Sequence, residues 1–169
     1  MPTTALDLGC GTRPKNPFNA EAVYGIDVRD DLAQNIVKAD LVIEPIPFPD
    51  NFFDYVTAYD FIEHVPRLIY NPTRRYPFVE LMNEIWRVLK VGGKFLSHTP
   101  AFPQAAAFWD PTHVNYIAEQ TFFAYFDDRN RWAAMYGFNG AFKLESQSWA
   151  EIHLVSIMSK VPVPPQPAS

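Results

Sequence analysis

Short apolar runs, each ending at a polar or acidic residue, divide the first hundred positions of the chain. These runs are rich in β-branched and aromatic residues and predict buried strands. The predicted strands cover residues 1–8, 23–28, 36–39, 53–58 and 94–99. Apolar residues also recur at positions i, i+3 and i+4 over residues 77–90, which predicts an amphipathic helix ended by Gly92 and Gly93. Strands that alternate with crossover segments indicate an α/β fold.

The remaining segments predict fewer regular elements. The first crossover, residues 12–19, contains Pro14 and Pro17 and leaves little room for a helix. We expect a short helix over residues 30–35, a helical turn over 60–65 and a helix over 118–126. Residues 142–149 and 152–159 predict two strands that pair antiparallel at the sheet edge. The expected fold is therefore a single doubly wound, mostly parallel sheet of about seven strands.

Composition indicates one globular domain. The chain has 169 residues, of which 48% are hydrophobic and 20% charged, which is enough to bury one core. We assign residues 1–160 to this domain and the proline-rich residues 161–169 to an extended, poorly ordered tail. No apolar run approaches the ~20 residues that span a bilayer, and we see no leader sequence. A single cysteine fits a reducing compartment, so we expect a cytoplasmic protein without membrane association.

The turn after the first strand carries the strongest chemical signal. Asp7 ends the apolar run, and Gly9 and Gly11 follow it. Glycine permits a tight turn and a close approach of the backbone to a ligand, at the edge where open α/β sheets bind their ligands. The second strand ends at Asp27, close to the ~20-residue spacing of a ribose-binding acid. Pro14 replaces the third glycine of the dinucleotide fingerprint, which argues against a nicotinamide-dependent oxidoreductase.

The order of the motifs resembles that of class I S-adenosylmethionine-dependent methyltransferases, in the small-molecule branch with methyltransferase-domain-11-like motifs. The resemblance rests on residues 6–12, 24–28, 38–41, 46–56, 63–65 and 84–93, which follow one another in family order. It implies a Rossmann-like fold, S-adenosyl-L-methionine as cofactor and S-adenosyl-L-homocysteine as product. Family members usually carry a helix before the first strand, and we expect this sequence to lack it.

The resemblance also implies a set of cofactor contacts. The glycine turn would cradle the methionine part, Asp27 would accept hydrogen bonds from the ribose hydroxyls, and Asp40 would accept one from the adenine amino group. The full set is Asp7, Gly9, Cys10, Gly11, Asp27, Val28, Asp40, Leu41, Tyr59, Asp60 and His64. Structural explanations remain open for several of these residues: an ordinary tight turn for the glycines, a small packing residue for Cys10 and a packing aromatic for Tyr59.

His113, His64 and Asp110 are the candidate catalytic residues. The run from Asp110 to His113 is similar to one in some small-molecule members of the family. His113 would take a proton from the acceptor, and Asp110 would either orient it or cap the following turn. His64 would act as a base or simply end the helical turn, and His113 has a buried structural role as its alternative. His98, Asp110 and His113 are competent metal ligands, but their spacing matches no known site and we predict no metal.

The predicted reaction moves a methyl group to an oxygen or nitrogen atom of a small-molecule acceptor. An aromatic set suggests an acceptor with a flat or apolar face, unless these residues belong to the core. It comprises Phe102, Phe108, Trp109, Tyr116, Phe122 and Phe123. Arg74 and Arg75 suggest an anionic acceptor, unless they only solvate a loop. The net charge of −5 makes nucleic acid an unlikely partner. A homodimer remains open, as does a non-catalytic S-adenosylmethionine-binding or partner subunit.

Overall fold

A central sheet organises the fold, which the computed structural model describes for residues 2–29, 35–70 and 72–164. Its strands are β1 (Thr4–Leu8), β2 (Ala22–Asp27), β3 (Ile36–Lys38), β4 (Phe53–Tyr59), β7 (Leu89–Phe102), β8 (Ile117–Ala118), β9 (Phe142–Ala150) and β10 (His153–Lys160). They lie in the order β3-β2-β1-β4-β7-β10-β9, with β8 beside β7. Strands β3, β2, β1, β4 and β7 are parallel, and β10 is antiparallel to β7 and β9. The predicted Rossmann-like sheet with an antiparallel edge is confirmed.

Helix α1 (Pro77–Val88) covers one face of this sheet. Proline at its first position has the backbone angle of a helix and has no N–H group to leave unpaired. The buried face comprises Pro77, Phe78, Leu81, Met82, Ile85 and Val88. These side chains share a core with sheet residues such as Leu6, Val56 and Phe95, which occupy one face of β1, β4 and β7 because their Cα atoms are paired across the strands. Helix α2 (Glu119–Tyr125) adds the buried ring of Phe122.

Several predicted boundaries differ from the structure. Helix α1 ends at Val88 and β7 begins at the next residue, so Gly92 and Gly93 lie inside a 14-residue strand instead of ending the helix. Between β4 and α1 lies a two-stranded ribbon of β5 (Ile69–Tyr70) and β6 (Arg74–Arg75), which was not predicted from the sequence. Short 3-10 helices cover Ile62–His64, Ala105–Phe108 and Trp132–Tyr136. The sequence pattern missed the last two of these because each is only one turn long.

The crossover from β1 to β2 contains no helix, as its prolines predict. This loop instead lies on the sheet face, where the ring of Phe18 stacks on Tyr55 with 4.4 Å between the ring centroids. The side chain of Asn16 holds the loop through hydrogen bonds with the backbone of Ala20. The predicted helix over residues 30–35 lies almost entirely outside the described residues, as does the tail from residue 165. In the part of the chain that the structure describes, no helix has the length and apolar character needed to cross a membrane.

Candidate active site at the carboxyl edge of the sheet

The two glycines after β1 both adopt left-handed backbone angles. Gly9 has φ of +65° and Gly11 has φ of +61°, a region in which a Cβ atom costs energy. A Cβ on Gly9 would lie only 2.4 Å from Cδ2 of Phe61. Beside Gly11, by contrast, the nearest atom is Nη2 of Arg29, 4.0 Å from where a Cβ would be. Gly9 therefore permits close internal packing, whereas the half-buried Gly11 leaves space beside its Cα atom that a ligand can approach.

The side chain of Asp7 stabilises this turn through hydrogen bonds. Its buried carboxylate accepts a 2.6 Å hydrogen bond from Thr57 Oγ1 and a 2.8 Å bond from the backbone N–H of Lys15. Burial raises the pKa of Asp7, and these two hydrogen bonds oppose the rise. The carboxylate thus joins the end of β1 to β4 and to the following loop. Asp7 therefore stabilises the fold through these bonds. It would affect cofactor binding indirectly, by holding the glycine turn in place.

Asp27, at the end of β2, turns its carboxylate toward the glycine turn. Its Oδ2 atom accepts a hydrogen bond of 3.0 Å from the N–H of Gly11, and Oδ1 accepts bonds from the backbone N–H and Nε of Arg29. Burial disfavours the charge of Asp27, but the hydrogen bonds from Arg29 and Gly11 outweigh it and lower the pKa. The Arg29 side chain is 69% exposed. A ribose that binds to Asp27 must therefore compete with an exposed arginine side chain.

Cys10 and Val28 occupy different environments in this region. A Cβ on Gly25 would lie 2.4 Å from Cys10 Sγ, so the thiol fills the space beside a strand glycine. Burial, reinforced by Asp7 and Asp27, raises the pKa of Cys10 to about 11, which keeps the thiol protonated near neutral pH. Val28 is 62% exposed and is accessible to a ligand. The packing explanation thus fits the Cys10 side chain. Its backbone N–H already donates to the carbonyl of Ile26 at 3.0 Å, and its carbonyl accepts from the N–H of Arg13 at 3.3 Å, so a cofactor contact could use only the second lone pair of that carbonyl.

Asp40 and Leu41 begin the turn after β3. Asp40 Oδ1 accepts a hydrogen bond from the N–H of Val42, so this carboxylate stabilises its own turn. Leu41 is only 7% exposed and belongs to the core. If adenine binds here, its contacts are therefore limited to the free lone pairs of the half-buried Asp40 and to the backbone of Leu41.

Tyr59 and Asp60 end β4 beside two histidines. Lys15 Nζ lies 4.3 Å from the Tyr59 ring centroid, and the His98 ring lies 5.0 Å away on β7. Asp60 has φ of +48° and its Oδ1 lies 2.9 Å from Nε2 of His153. Burial, together with the charge of His153, lowers the pKa of His98. His153 comes from β10 and was not predicted from the sequence, because only the antiparallel register opposite Pro100 brings it to this edge.

Glu63, His64 and His113 form a second cluster. One nitrogen or oxygen atom from each lies within 4.8 Å of the others. The His64 and His113 rings meet edge to face, with 4.9 Å between centroids. Glu63 is buried and accepts a 2.8 Å hydrogen bond from Thr99 Oγ1. Burial raises the pKa of Glu63, partly offset by hydrogen bonds that include the one from Thr99. Sequence reasoning identified both histidines but gave Glu63 no chemical role.

The structure distinguishes between the alternatives that the sequence left open for Asp110 and for the aromatic set. Asp110 Oδ1 accepts hydrogen bonds from the N–H and Oγ1 of Thr112, so it caps the turn and does not orient His113, whose Nδ1 faces the carbonyl of Ala107 at 3.1 Å. Phe122 is fully buried, and the Phe123 ring lies under Arg129. Neither ring belongs to an acceptor rim. The remaining aromatic candidates are all exposed: Phe102, Phe108, Trp109 and Tyr116.

The arginine pair of the ribbon is only partly available to an anion. Arg75 forms a bidentate ion pair with Glu80 of helix α1. Arg74 is exposed and lies against the ring of Tyr76, 5.5 Å from its centroid. The pair therefore does not present two adjacent free guanidinium groups to one ligand.

The residues at the glycine turn fit the nucleoside cofactor that the resemblance implies. Gly11 leaves space beside its Cα atom, and Asp27 provides a carboxylate whose neighbouring arginine is exposed. Three surface cavities of about 310, 390 and 460 Å³ lie elsewhere, and none of them is lined by a residue of this turn. Among the described residues, the glycine turn therefore lies on an open edge, whereas Leu41, at the proposed adenine position, lines the cavity of about 310 Å³.

Comparison with known proteins places these features in a family. Residues 6–97 match the family described as Methyltransferase domain. The chain is similar to demethylmenaquinone methyltransferase of Anoxybacillus flavithermus, with 29% identity over 142 residues, covering 73% of this chain and 52% of that protein. The corresponding Geobacillus protein is 30% identical over 122 residues, covering 62% of this chain and 48% of that protein. The chain thus spans about half the length of these curated relatives.

Solved structures show the same fold at low sequence identity. A SAM-dependent methyltransferase from Archaeoglobus fulgidus superimposes with a TM-score of 0.58 and 17% identity, covering 94% of this chain and 86% of that chain. The [4+2]-cyclase SpnF superimposes with a TM-score of 0.63, also at 17% identity, covering 94% and 74%. Because a methyltransferase and a cyclase both match, the fold alone does not identify the reaction.

Proposed function

The chain belongs to the methyltransferase-domain family of class I S-adenosylmethionine-dependent methyltransferases, and on that basis we propose that it transfers a methyl group to an oxygen or nitrogen atom of a small-molecule acceptor. The observation that carries the proposal is the open space beside the Cα atom of Gly11, next to the Asp27 carboxylate that the Gly11 N–H holds, which fits a nucleoside at the carboxyl edge. The names of the curated relatives support an acceptor of small-molecule size.

In the proposed mechanism, the main role of the chain is to position two reactants. When bound, S-adenosylmethionine would supply an electrophilic methyl group attached to a sulfonium. The leaving group would be the neutral thioether S-adenosylhomocysteine. The glycine turn, Asp27 and Asp40 would bind the cofactor. His64 and His113, with Asp110 holding their loop, would contact the acceptor from the neighbouring strand ends. Alignment of the nucleophile with the methyl group can supply much of the acceleration.

Calorimetric titration with S-adenosylmethionine, S-adenosylhomocysteine and NAD tests the cofactor assignment. We expect micromolar binding of both sulfur compounds and none of NAD. Asp27→Asn removes the charge with little change in shape and should weaken binding at least tenfold, because hydrogen bonds to a charged acceptor are the stronger ones. Glu21→Gln, an exposed acid before β2, is the matched control and should bind as the native protein does. Binding of NAD alone would support an oxidoreductase instead.

Turnover is tested separately from binding. Formation of S-adenosylhomocysteine should accompany incubation with a panel of hydroxyl- and amine-bearing acceptors, and should depend on Asp27. A protein that binds S-adenosylmethionine tightly yet forms no product with any acceptor class would favour the non-catalytic binding role.

A further inference from the structure

We propose that Glu63, His64 and His113 form a binding site for a divalent transition-metal ion. The site would take an ion of the zinc class through two imidazole nitrogens and one carboxylate oxygen. Its role in holding an acceptor oxygen rests on the proposed function, whereas ion binding itself does not. The three proposed ligands lie on two segments of the chain, one after β4 and one after β7.

The cluster has nearly the dimensions that such an ion requires. Ligand atoms about 2.0–2.1 Å from a tetrahedral ion lie about 3.3 Å from one another. In the structure, one ligand atom from each of the three side chains lies within 4.8 Å of the others. An ion at the centre of the set would bring these atoms closer together by at most about 1.5 Å.

The buried carboxylate of Glu63 lacks a cationic partner among the described residues. The residue is 1% exposed, and Thr99 donates to Oε2, while Oε1 is buried and has no hydrogen-bond partner in the described structure. A buried carboxylate with an unpaired oxygen is costly unless a cation compensates it. A metal ion beside Oε1 would supply that compensation.

Both histidines have the outer contacts expected of metal ligands. The carbonyl of Ala107 can only accept, so His113 Nδ1 donates to it and Nε2 keeps its lone pair. Thr112 Oγ1 donates to Asp110 at 2.6 Å, so at 3.0 Å it accepts from His64 Nδ1, which again frees Nε2. These tautomers follow from the hydrogen-bond network. Histidine ligands commonly donate their second ring N–H to a carbonyl or carboxylate in this way.

The backbone holds the two loops together at this point. The N–H groups of Val114 and Asn115 both donate to the carbonyl of Glu63, at 2.9 and 3.0 Å. The Asn115 side chain donates to the carbonyl of Ile62 at 3.0 Å. The backbone segments that carry the three proposed ligands are thus held together before any ion binds, and the neighbouring Asp110 and Thr112 are exposed to solvent.

The ligand set indicates which ion binds and what else it can hold. Two imidazoles and one carboxylate suit zinc and other divalent transition metals better than magnesium, which prefers oxygen ligands. Three protein ligands leave at least one coordination position open. In the proposed reaction this position would take an oxygen atom of the acceptor, which favours hydroxyl-bearing acceptors.

Titration of the untagged protein with Co²⁺, followed by visible absorption, tests the site directly, with calorimetry using Zn²⁺ for stoichiometry. We expect one equivalent to bind with d–d bands of low-symmetry coordination. His113→Gln and His64→Gln should each weaken Co²⁺ binding at least tenfold while keeping the native melting temperature within a few degrees. The absence of stoichiometric binding, or binding of Mg²⁺ alone, would overturn the proposal.

The neighbouring cluster of Asp60, His98 and His153 supplies the matched control. Its ligand atoms also lie within 4.8 Å of one another, but Asp60 already pairs with His153 at 2.9 Å. His153→Gln should therefore leave Co²⁺ binding unchanged, and loss in this variant with retention in His113→Gln would refute our assignment. S-adenosylmethionine affinity, measured without metal on the same samples, separates failure of the metal site from failure of the proposed function.

Discussion

The ring of Phe61 fills the space that a side chain at residue 9 would need, since a Cβ on Gly9 would lie 2.4 Å from Phe61 Cδ2. Phe61 directly precedes the 3-10 turn Ile62–His64. The glycine turn proposed to bind the cofactor is therefore in contact with the segment that carries Glu63 and His64. This contact links the two halves of the candidate site through the body of the fold.

Gly9→Ala should disrupt both the glycine turn and the segment that carries Glu63 and His64. The left-handed angle costs about 1–2 kcal/mol for a residue with a Cβ, and the overlap with Phe61 adds a similar overpacking cost. We expect the free energy of unfolding to fall by about 2–4 kcal/mol and S-adenosylmethionine binding to be lost, as measured by denaturant unfolding and calorimetry. Gly92→Ala is the matched control, since Gly92 has φ of +79° but nothing within 4 Å of its Cβ position. Equal destabilisation by both substitutions would contradict the role of the Phe61 contact.

Arg29→Ala should not weaken the proposed cofactor binding. The exposed Arg29 side chain occupies Asp27 Oδ1, which a ribose hydroxyl needs. Its removal frees one of the two hydrogen-bonding positions on Oδ1, since the backbone N–H of residue 29 still donates to this atom. Because exposed ion pairs are weak, we expect affinity for S-adenosylmethionine to rise by up to about fivefold in calorimetry. Arg13→Ala, which removes an exposed charge from the loop between β1 and β2, controls for general electrostatics. A loss of affinity comparable to that of Asp27→Asn would show instead that Arg29 contacts the cofactor.

Protonation of Asp127 at low pH should lower the free energy of unfolding. Its buried carboxylate accepts hydrogen bonds from the backbone N–H of Leu144 and from the Arg129 side chain. Burial disfavours the charge, but these bonds outweigh it and lower the pKa of Asp127. The stabilisation is therefore complete above the unfolded pKa of about 3.9 and is lost as pH falls through the lower folded pKa.

Asp127→Asn should lower the free energy of unfolding by roughly 1–3 kcal/mol at pH 7. The difference from the native protein should shrink as pH falls below about 4, because protonation removes the same charge from the native protein. Urea unfolding at several pH values measures both effects. Asp128→Asn, at the next position, should change little, and a pH-independent difference for Asp127→Asn would refute the linkage.

The parts of the fold that depend on local sequence were the parts that could be predicted. The strand before Gly9 and the acid at Asp27 were recognisable because each lies in a short apolar run with a distinct end. The end of α1 was misplaced because β7 follows without a connecting turn, so Gly92 and Gly93 looked like a helix terminus.

The candidate chemistry was harder to predict because it joins distant segments. His64 and His113 were identified singly, but their contact depends on the backbone bonds from Val114 and Asn115 to Glu63. Glu63 itself gave no signal, since a lone acid in a helical turn is ordinary in sequence. Its significance comes from burial and from the unpaired Oε1 atom, neither of which follows from a local pattern.

Thr112→Val tests the hydrogen-bond chain that runs from Asp110 through Thr112 to His64. Valine keeps the shape of threonine but cannot bridge Asp110 Oδ1 and His64 Nδ1. Loss of such an outer contact lowers metal affinity by about 10- to 100-fold, and we expect a decrease in this range for Co²⁺ in the visible titration. Because Thr112 is exposed, the melting temperature should change little. Thr112→Ser retains the hydroxyl and should restore Co²⁺ affinity. A serine variant as weak as the valine variant would mean that the methyl group, and not the hydrogen-bond chain, positions His64.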